Sequence, residues 1–323
     1  MISFIIIGKN EGWKLTKCLE SVYLAIKQNH LKDYDVIYVD SKSTDNSIER
    51  AKKFIKTQIF MLTGEINAAI ARNIGVHESK GEILFFIDGD MEINADFIWK
   101  SINKSGELIY KFVSGQVINL NYDKNDVYLS EELMYPDLKK GDQYFPISGG
   151  VFLIKRSLWE EVKGMDISFR RGQDHDLALR LAKRGILLLR KADVICKHHT
   201  ISYAHQDRIW NTLISGDVAY YSSFIFMKHF FNKYIIQKTV RENYTTLFLV
   251  FCSCLMIFFQ TLLLYSLYFI VILFKVYKNK KKRVFDNFEL FVYYIIKDIL
   301  FIFYLFKSKR KVRITDIKYS RIN

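Results

Sequence analysis

Residues 81–90 read GEILFFIDGD, an apolar run of strand length that ends abruptly in two carboxylates. Consecutive apolar side chains are typical of a strand that is buried on both faces of a sheet. Working outward, Ile2–Ile7 and Val36–Val39 are similar runs that also end in polar turns, and helical patterns lie between them. Strands that alternate with helices predict an α/β fold with a doubly wound, mostly parallel, Rossmann-like sheet.

The other elements of residues 1–200 are predicted from the same two periodicities. Strands are expected at Ile59–Leu62 and Arg190–Cys196. Helices are expected at Leu15–Ile26, Ile48–Ile55, Asn67–Val76 and Asp174–Leu187. The pattern weakens between residues 100 and 145, so no element is predicted there.

Asp88 and Asp90 follow the strand at Ile83–Ile87 directly. They therefore lie at the carboxyl edge of the sheet, where open α/β sheets bind ligands. Gly89 permits a tight turn that brings both carboxylates to one point. Two such groups repel each other unless a cation lies between them, and Mg²⁺ or Mn²⁺ suits oxygen ligands of this kind. The alternative is a solvated turn that caps a helix.

Three further polar residues are predicted at strand ends. Asp40 follows the second strand, where it either closes an Asx-turn or accepts a hydrogen bond from a nucleobase. His198 and His199 follow the strand predicted at Arg190–Cys196. Either histidine is a candidate for an additional metal ligand, and the alternative is an ordinary surface residue.

Several short motifs occur in a fixed order along residues 1–200. They are Asn10-Glu11, VDSKSTD at 39–45, ARNIG at 71–75, GEILFFIDGD at 81–90, SGGVF at 148–152, GMD at 164–166 and DHDLALR at 174–180. Each motif is short, but their order and spacing together resemble an inverting family 2 nucleotide-sugar glycosyltransferase with a GT-A fold.

The resemblance implies a role for each matching residue. The nucleotide-sugar donor would be bound by Asn10, Glu11, Asp40, Arg72, Asn73 and Asp88. Asp90 would be the principal metal ligand, Asp88 would hold ribose or metal, and Asp174 would be the general base. A loop around the acceptor and the donor sugar would contain Gly149, Gly150 and Asp176.

Two residues depart from the family pattern. Ser41 stands where a second acid often follows the base-contacting aspartate, and Gln173 stands where a glutamate commonly precedes the general base. Less negative charge nearby should leave Asp174 less basic. Asp174 and Asp176 also have a simpler interpretation as first-turn carboxylates that favour the helix dipole, with Arg180 placed to pair with Asp176.

The net charge of +14 is unevenly distributed along the 323 residues. Residues 1–200 carry 29 basic and 27 acidic side chains, whereas residues 201–323 carry 19 and 7. The basic excess therefore lies beside the longest apolar run, which predicts attraction to anionic membrane lipids rather than to nucleic acid. Four scattered cysteines exclude a disulfide framework and a zinc finger.

The apolar run 243–274 contains no charged residue over 32 positions. A continuous helix of that length would be about 48 Å long, against roughly 30 Å of hydrocarbon. A single crossing would also place the basic loop 275–283 outside the cell, against the usual charge bias. Either the run is a hairpin, or this run or the second apolar stretch, Leu290–Phe306, lies in the membrane interface.

The expected organisation has four parts. Residues 1–215 form the GT-A domain, with a nucleotide-binding half at 1–99 and an acceptor and catalytic half at 100–215. Basic connecting helices follow at 216–242, membrane-associated helices at 243–306 and a basic cytoplasmic tail at 307–323. Because Met1–Ile7 lacks the basic start of a signal peptide, the catalytic domain is expected on the cytoplasmic side of the cell membrane.

The resemblance implies an enzyme that moves one sugar from a nucleotide-sugar donor, expected to be UDP-linked, to a hydroxyl of a lipid-linked or saccharide acceptor in cell-surface polysaccharide synthesis. Residues 206–210 read QDRIW, which departs in spacing from the Gln-x-x-Arg-Trp element of processive synthases, so a single addition is favoured. Two alternatives stay open. One is a polyprenyl-phosphate glycosyltransferase, and the other is a non-catalytic membrane scaffold with the same fold.

Overall fold

The computed structural model describes residues 1–103, 105–201, 206–279, 286–307 and 317–323, without the side chains of 206–208 and 217–218. The chain forms two compact units. One consists of Met1–Ser202 together with Lys311–Asn323, and the other of Tyr203–Arg310.

The first unit contains a single large sheet with helices on both faces. Its strands are β1 (Ile2–Gly8), β2 (Tyr34–Asp40), β3 (Thr57–Leu62), β4 (Ile83–Asp88), β5 (Met91–Ile93), β6 (Phe112–Tyr122), β7 (Tyr128–Leu133), β8 (Gln143–Phe145), β9 (Phe152–Lys155), β10 (Leu188–Ile201) and β11 (Tyr319–Arg321). Its helices are α1 (Trp13–Gln28), α2 (Ser47–Lys52), α3 (Ala68–His77), α4 (Ala95–Trp99), α5 (Arg156–Glu161) and α6 (Gln173–Lys183), with a 3-10 turn at Pro136–Lys140.

The order of the main strands is β11-β3-β2-β1-β4-β9-β6-β10-β5. The α/β prediction is confirmed, but the sheet is mixed rather than mostly parallel. Strands β3, β2, β1 and β4 are parallel to one another, and β6 is parallel to β10, whereas β9, β5, β7, β8 and β11 pair antiparallel with their neighbours. Antiparallel neighbours need no crossover helix, so the alternation of strand and helix that predicts a parallel sheet is missing there.

The apolar runs of β1 and β4 fill the centre of this sheet. Successive side chains of β1 pack into two different hydrophobic cores, one on each face of the sheet: Phe4 lies in one and Ile5 in the other. Helix α3 approaches the second face so closely that a Cβ at Gly75 would lie 2.3 Å from Cγ2 of Ile5. Close contact between helix and strand therefore holds α3, and with it Arg72, against the sheet.

Three boundaries differ from those predicted. Helix α6 ends at Lys183 instead of reaching Leu187, because Gly185 adopts a positive φ of 80° that ends the helix. Strand β10 continues to Ile201, so His198 and His199 lie within a strand and not after it. The segment predicted as a tail, 307–323, contributes β11, which pairs with β3.

The second unit is helical. Its helices are α7 (Gln206–Ile214), α8 (Asp217–Lys228), α9 (Lys233–Glu242), α10 (Tyr244–Phe259), α11 (Leu264–Lys278) and α12 (Asn287–Phe306). The apolar run 243–274 breaks at Gln260, which has a positive φ of 49°. Helices α10 and α11 run antiparallel, since Tyr265 lies beside Ser253 while Lys275 donates to Thr245.

A buried carboxylate connects α12 to this helical hairpin. Asp298 is fully buried and accepts hydrogen bonds from Thr246 at 2.6 Å and from Tyr268 at 3.1 Å. Among the described helices, none is by itself long and apolar enough to span a membrane. Helices α9 and α10 meet that requirement only when taken together, and they are bent by 83° at their junction.

Candidate active site

The candidate site lies where β1, β2 and β4 end side by side. Gly8 pairs with Asp40, and Ile7 pairs with Asp88, so the loops that follow these strands leave the sheet at one edge. Open α/β sheets bind ligands at this carboxyl edge. The fold therefore brings the predicted residues after all three strands into one region.

The Asp40 carboxylate organises the turn that follows β2. It is fully buried and accepts hydrogen bonds from the Tyr38 hydroxyl at 2.8 Å, the Ser43 backbone N–H at 2.7 Å and the Ser43 hydroxyl at 2.5 Å. Burial, reinforced by the charge of Asp40, raises the pKa of Tyr38. All these contacts are internal to the turn, as an Asx-turn requires, and the contact with a nucleobase stays a prediction.

Two serines tie the loop after β1 to the loop after β2. Asn10 donates its backbone N–H to the Ser43 hydroxyl at 2.8 Å, and its side-chain oxygen accepts from Thr44 N–H at 2.7 Å. The Ser47 hydroxyl accepts from the backbone of Glu11 at 3.0 Å. Sequence reasoning identified Asn10 and Glu11 but missed Ser43 and Ser47, because serine is common in any turn.

Arg72 and Asp88 form an ion pair beside a glycine. Nη2 of Arg72, which is buried, lies 2.6 Å from Oδ1 of Asp88. A Cβ at Gly150 would lie 2.1 Å from Oδ2 of Asp88 and 3.1 Å from Nη2 of Arg72. The backbone of the 148–152 segment therefore packs directly on this ion pair, and only glycine leaves room for it.

Asn73 holds a loop in place. Its side-chain amide donates to the Met165 carbonyl at 2.8 Å and accepts from Met165 N–H at 2.9 Å. Both ends of the amide are occupied, so in this structure Asn73 fastens α3 to the loop before α6. Its predicted contact with ribose or diphosphate stays a prediction.

Asp90 and His198 face each other across the end of β4. Nε2 of His198 lies 3.2 Å from Oδ2 of Asp90, and Nδ1 lies 3.0 Å from Oδ1 of Asn119. Oδ1 of Asp90 is buried without a hydrogen-bond partner among the described residues. Burial lowers the pKa of His198, but the hydrogen bond and charge of Asp90 outweigh it and raise that pKa overall.

This geometry fits a divalent cation. With the Asn119 oxygen facing the ring, Nδ1 carries the proton, and a neutral imidazole then points its Nε2 lone pair at the Asp90 carboxylate. Two lone pairs at that distance repel unless a proton or a cation is shared between them. The described residues contain no ready cluster of three His, Cys, Asp or Glu side chains, so other ligands would have to complete the metal shell.

Negative charge accumulates around this point. Burial, followed by the charges of Asp90 and Asp88, raises the pKa of Glu11 to about 8. Burial is the largest cause of this shift, and the two aspartates add to it because like charges disfavour ionisation. A bound cation would offset the contribution of the aspartates.

His199 has different partners. Its Nε2 lies 2.5 Å from Glu92, its Nδ1 lies 2.9 Å from the Tyr122 hydroxyl, and its backbone N–H donates to the Asp90 carbonyl at 2.9 Å. Both ring nitrogens are therefore engaged away from the Asp90 carboxylate. Of the two histidines, His198 is the one that faces it.

The two acids of α6 occupy different environments. Asp174 is half-buried in the first turn, and its charge acts on both Asp88 and Arg190. Asp176 is fully buried and pairs with Arg180 at 2.9 Å. Arg180 in turn donates to the carbonyls of Val162 and Gly164. Asp176 thus supports the loop before α6 and has no exposed surface with which to meet a sugar.

Comparison with known proteins agrees with the fold and the order of motifs. Residues 3–162 match the family described as Glycosyl transferase family 2. Residues 3–162 are a family 2 glycosyltransferase domain. Glycosyltransferase GlyG of Streptococcus pneumoniae is 26% identical over 166 residues, which are 50% of this chain and 48% of that protein.

Two other relatives match part of this chain. Glycosyltransferase AglE of Haloferax volcanii is 30% identical over 36% of this chain and 39% of that protein. A Methanococcus voltae dolichyl N-acetyl-α-D-glucosaminyl phosphate 3-β-D-2,3-diacetamido-2,3-dideoxy-β-D-glucuronosyltransferase is 25% identical over 62% of this chain and 67% of that protein. The chain spans less than half the length of GlyG and of AglE.

Two solved structures share the fold at 16% identity. The mannosyltransferase PcManGT from Pyrobaculum calidifontis, in complex with GDP-Man and Mn²⁺, has a TM-score of 0.61 over 93% of this chain and 86% of that chain. GalNAc-T7 with UDP, GalNAc and Mn²⁺ has a TM-score of 0.51 over 68% of this chain and 47% of that chain. The GT-A architecture is therefore shared across distant sequences.

The packing of Gly150 on the ion pair generates a test with an adjacent control. Gly150→Ala should displace Asp88 or Arg72, because the new methyl group overlaps the Asp88 carboxylate. At Gly149 the nearest obstacle is the Tyr135 hydroxyl at 3.2 Å, which a small shift relieves. We expect Gly150→Ala to weaken nucleoside diphosphate binding at least about tenfold in calorimetry. Gly149→Ala should bind within about twofold of wild type, and equal binding by both variants would contradict this assignment.

Proposed function

We propose that this protein transfers one sugar from a nucleotide-sugar donor to an acceptor hydroxyl, with a divalent cation and with inversion at the anomeric carbon. The observation that carries the proposal is the Asp90 carboxylate beside the Asp88–Arg72 ion pair: its Oδ2 faces Nε2 of His198, and its buried Oδ1 has no hydrogen-bond partner among the described residues. Two proteins of the same fold were solved with Mn²⁺ and with GDP-Man or UDP, which supports this choice of donor and metal.

Asp90 and His198 would hold the metal, which when bound offsets the charge that develops on the departing diphosphate. Arg72 is fixed by Asp88, so its guanidinium is held in position before the donor arrives. Asn10 and Glu11, with backbones tied to Ser43 and Ser47, would shape the nucleotide pocket. Because these groups are already held in position, little conformational entropy would be lost when the donor binds.

Asp174 would act as the general base. The acceptor oxygen forms its bond to the anomeric carbon from the face opposite the leaving group, while the bond from that carbon to the diphosphate oxygen breaks. The acceptor proton passes to the Asp174 carboxylate as the new bond forms. Asp174 is half-buried, whereas its neighbour Asp176 is fully buried and paired, so Asp174 is the acid of α6 that is free for this role.

We further propose that the helical unit attaches the protein to the cell membrane, with the catalytic domain on the cytoplasmic side and a lipid-linked acceptor. The turn between α10 and α11 exposes the apolar side chains Ile257, Phe258, Phe259, Leu262 and Leu263. Lys278 is exposed at the opposite end of α11, where its charge can attract anionic lipid headgroups. The name of the Methanococcus voltae relative, which specifies a dolichyl phosphate, supports an acceptor of this class.

The two histidines provide a matched test of the metal assignment. His198→Gln should abolish the stabilisation that Mn²⁺ adds in the presence of UDP, because it removes the nitrogen that faces Asp90. In the wild type this stabilisation should reach about 2.7 kcal/mol at a hundredfold excess over Kd. His199→Gln should keep it, since that ring faces Glu92 and Tyr122. Thermal unfolding with and without Mn²⁺ measures the effect, and the reverse pattern would refute the assignment.

The general base is tested by Asp174→Asn, with Asp96→Asn as control. Asp96 is an exposed acid in the first turn of α4, so the control repeats the loss of a first-turn charge. Removing a general base should lower kcat about 10²–10⁴-fold while donor binding is unchanged. If Asp174→Asn retains near-full activity, the nucleophile is already ionised, and a polyprenyl-phosphate acceptor replaces the hydroxyl acceptor in this account.

Membrane attachment is tested at the turn of the hairpin. Phe258→Glu combined with Leu262→Glu should sharply reduce co-sedimentation with anionic liposomes, because both side chains are more than two-thirds exposed, at 81% and 74%. Phe231→Glu is the control, since Phe231 is even more exposed but lies between α8 and α9. Truncation is a poorer test, because it removes β11 from the sheet. Unchanged sedimentation of the double variant would exclude the hairpin as the attachment point.

A further inference from the structure

Arg190 is a buried cation that the proposed chemistry does not use. It lies on β10 with 4% of its surface exposed, and its Nε is buried without a hydrogen-bond partner among the described residues. Burying a charge without hydrogen bonds is costly. A protein that needed only packing at this position would be better served by an apolar side chain.

Two aromatic rings hold the guanidinium in place. Its carbon lies 3.8 Å from the centre of the Tyr135 ring and 4.7 Å from that of Phe145. Cation–π contacts recover part of the cost of burial, and they fix the plane of the guanidinium. They leave its buried Nε–H without a hydrogen-bond acceptor in the part of the chain that the structure describes, because a ring face interacts with the cation as a whole.

The surrounding chain is built to keep this arrangement rigid. Gln116 donates its amide to the Tyr135 carbonyl at 2.7 Å and accepts from Tyr135 N–H at 3.0 Å. Arg190 itself pairs with Gln143 in the β10–β8 ladder, which brings β8 and its Phe145 alongside. The two rings therefore come from two separately anchored segments.

The position of Arg190 relates it to the acceptor side of the candidate site. The charge of Asp174, the proposed base, acts on the guanidinium. The Tyr135 hydroxyl lies next to Gly149, since a Cβ there would be 3.2 Å from it. Gly149 precedes Gly150, which contacts Asp88. Arg190 is thus separated from the donor-binding ion pair by one aromatic ring and one glycine loop.

We propose that Arg190 binds a phosphate group of the acceptor. A guanidinium presents N–H donors in a fixed fork that matches phosphate oxygens, and such charge-assisted bonds strengthen where water is excluded. The inference rests on the proposed function, in which the acceptor is linked to a lipid through phosphate. It adds the residue that would recognise that phosphate and hold the acceptor hydroxyl near Asp174.

The test uses the full-length protein saturated with UDP and Mn²⁺, so that the donor diphosphate site is occupied, and phenyl phosphate as the probe. Wild type should be stabilised by phenyl phosphate in thermal unfolding. Arg190→Met should bind it at least about tenfold more weakly, which is the value of one charge-assisted hydrogen bond. Without phenyl phosphate, Arg190→Met should unfold at the wild-type temperature or above it, because an unpaired buried charge has been removed.

The matched control is Lys191→Met. Lys191 is the next residue and is also buried, but its Nζ is paired with Asp193 at 3.3 Å. It should respond to phenyl phosphate as wild type does. Arg190→Lys provides a second variant that keeps the charge but loses the fork, and it should bind with intermediate affinity.

Two results would overturn the proposal: no response of the wild type to phenyl phosphate, or an equal response of wild type and Arg190→Met. Stabilisation by UDP and Mn²⁺ alone is read in the same experiment and reports on the donor site. If that stabilisation is missing, the proposed function fails, while the difference between wild type and Arg190→Met still decides the role of Arg190.

Discussion

The burial of several acidic groups close together at the end of β4 is the constraint on which the candidate site depends. Asp88 and Asp90 are two residues apart, and Glu11 lies close to both. Burial raises the pKa of Glu11 to about 8, and the charges of Asp90 and Asp88 contribute to that rise. Arg72 neutralises Asp88. Asp90 is left facing His198 with one oxygen unsatisfied among the described residues. Both carboxylates therefore have a partner within the protein, but Asp90 keeps one oxygen without any in the described part of the chain, and this oxygen is the one that the proposed cation would bind.

The sheet explains how these groups come together. The parallel strands β1, β2 and β4 end at the same edge, and the antiparallel pairing of β5 with β10 places His198 beside Met91. Glycine at 150 then lets a loop reach the Asp88–Arg72 ion pair. Each contact joins segments that are far apart in sequence, so the site exists only when the whole sheet has formed.

The sequence predicts the parallel half of the fold well, because β1, β2 and β4 are uninterrupted apolar runs followed by polar turns. It fails between residues 100 and 145, where strand β6 carries Ser114, Gln116 and Asn119 in its buried positions. Those polar residues hide the period of the strand, yet they make hydrogen bonds that hold Tyr135 and His198 in place.

The residues of the candidate site are also only partly predictable from the sequence. Asp88 and Asp90 are recognisable from the strand that precedes them, whereas the choice of His198 over His199 depends on a strand register that no local pattern reveals. Asp40, Asn73 and Asp176 match family motifs, but here they hold turns and loops through internal hydrogen bonds. In this structure these three side chains are engaged within the protein, and their predicted contacts with donor or acceptor stay predictions.

The helical unit also depends on a buried carboxylate, here one that connects helices. A run without charge is interrupted at Gln260, and the buried Asp298 fastens α12 to the resulting hairpin through Thr246 and Tyr268. Apolar side chains at the hairpin turn stay exposed, which is unfavourable in water and suits a lipid surface.

The central claim is that Asp90 and His198 bind one divalent cation. The most direct measurement is anomalous diffraction from crystals grown with Mn²⁺ and a nucleoside diphosphate. The account predicts one manganese peak bonded to an Asp90 oxygen, Nε2 of His198 and the diphosphate. A nucleotide bound in the cleft with no manganese at this pair, or with manganese held by other side chains, would contradict it.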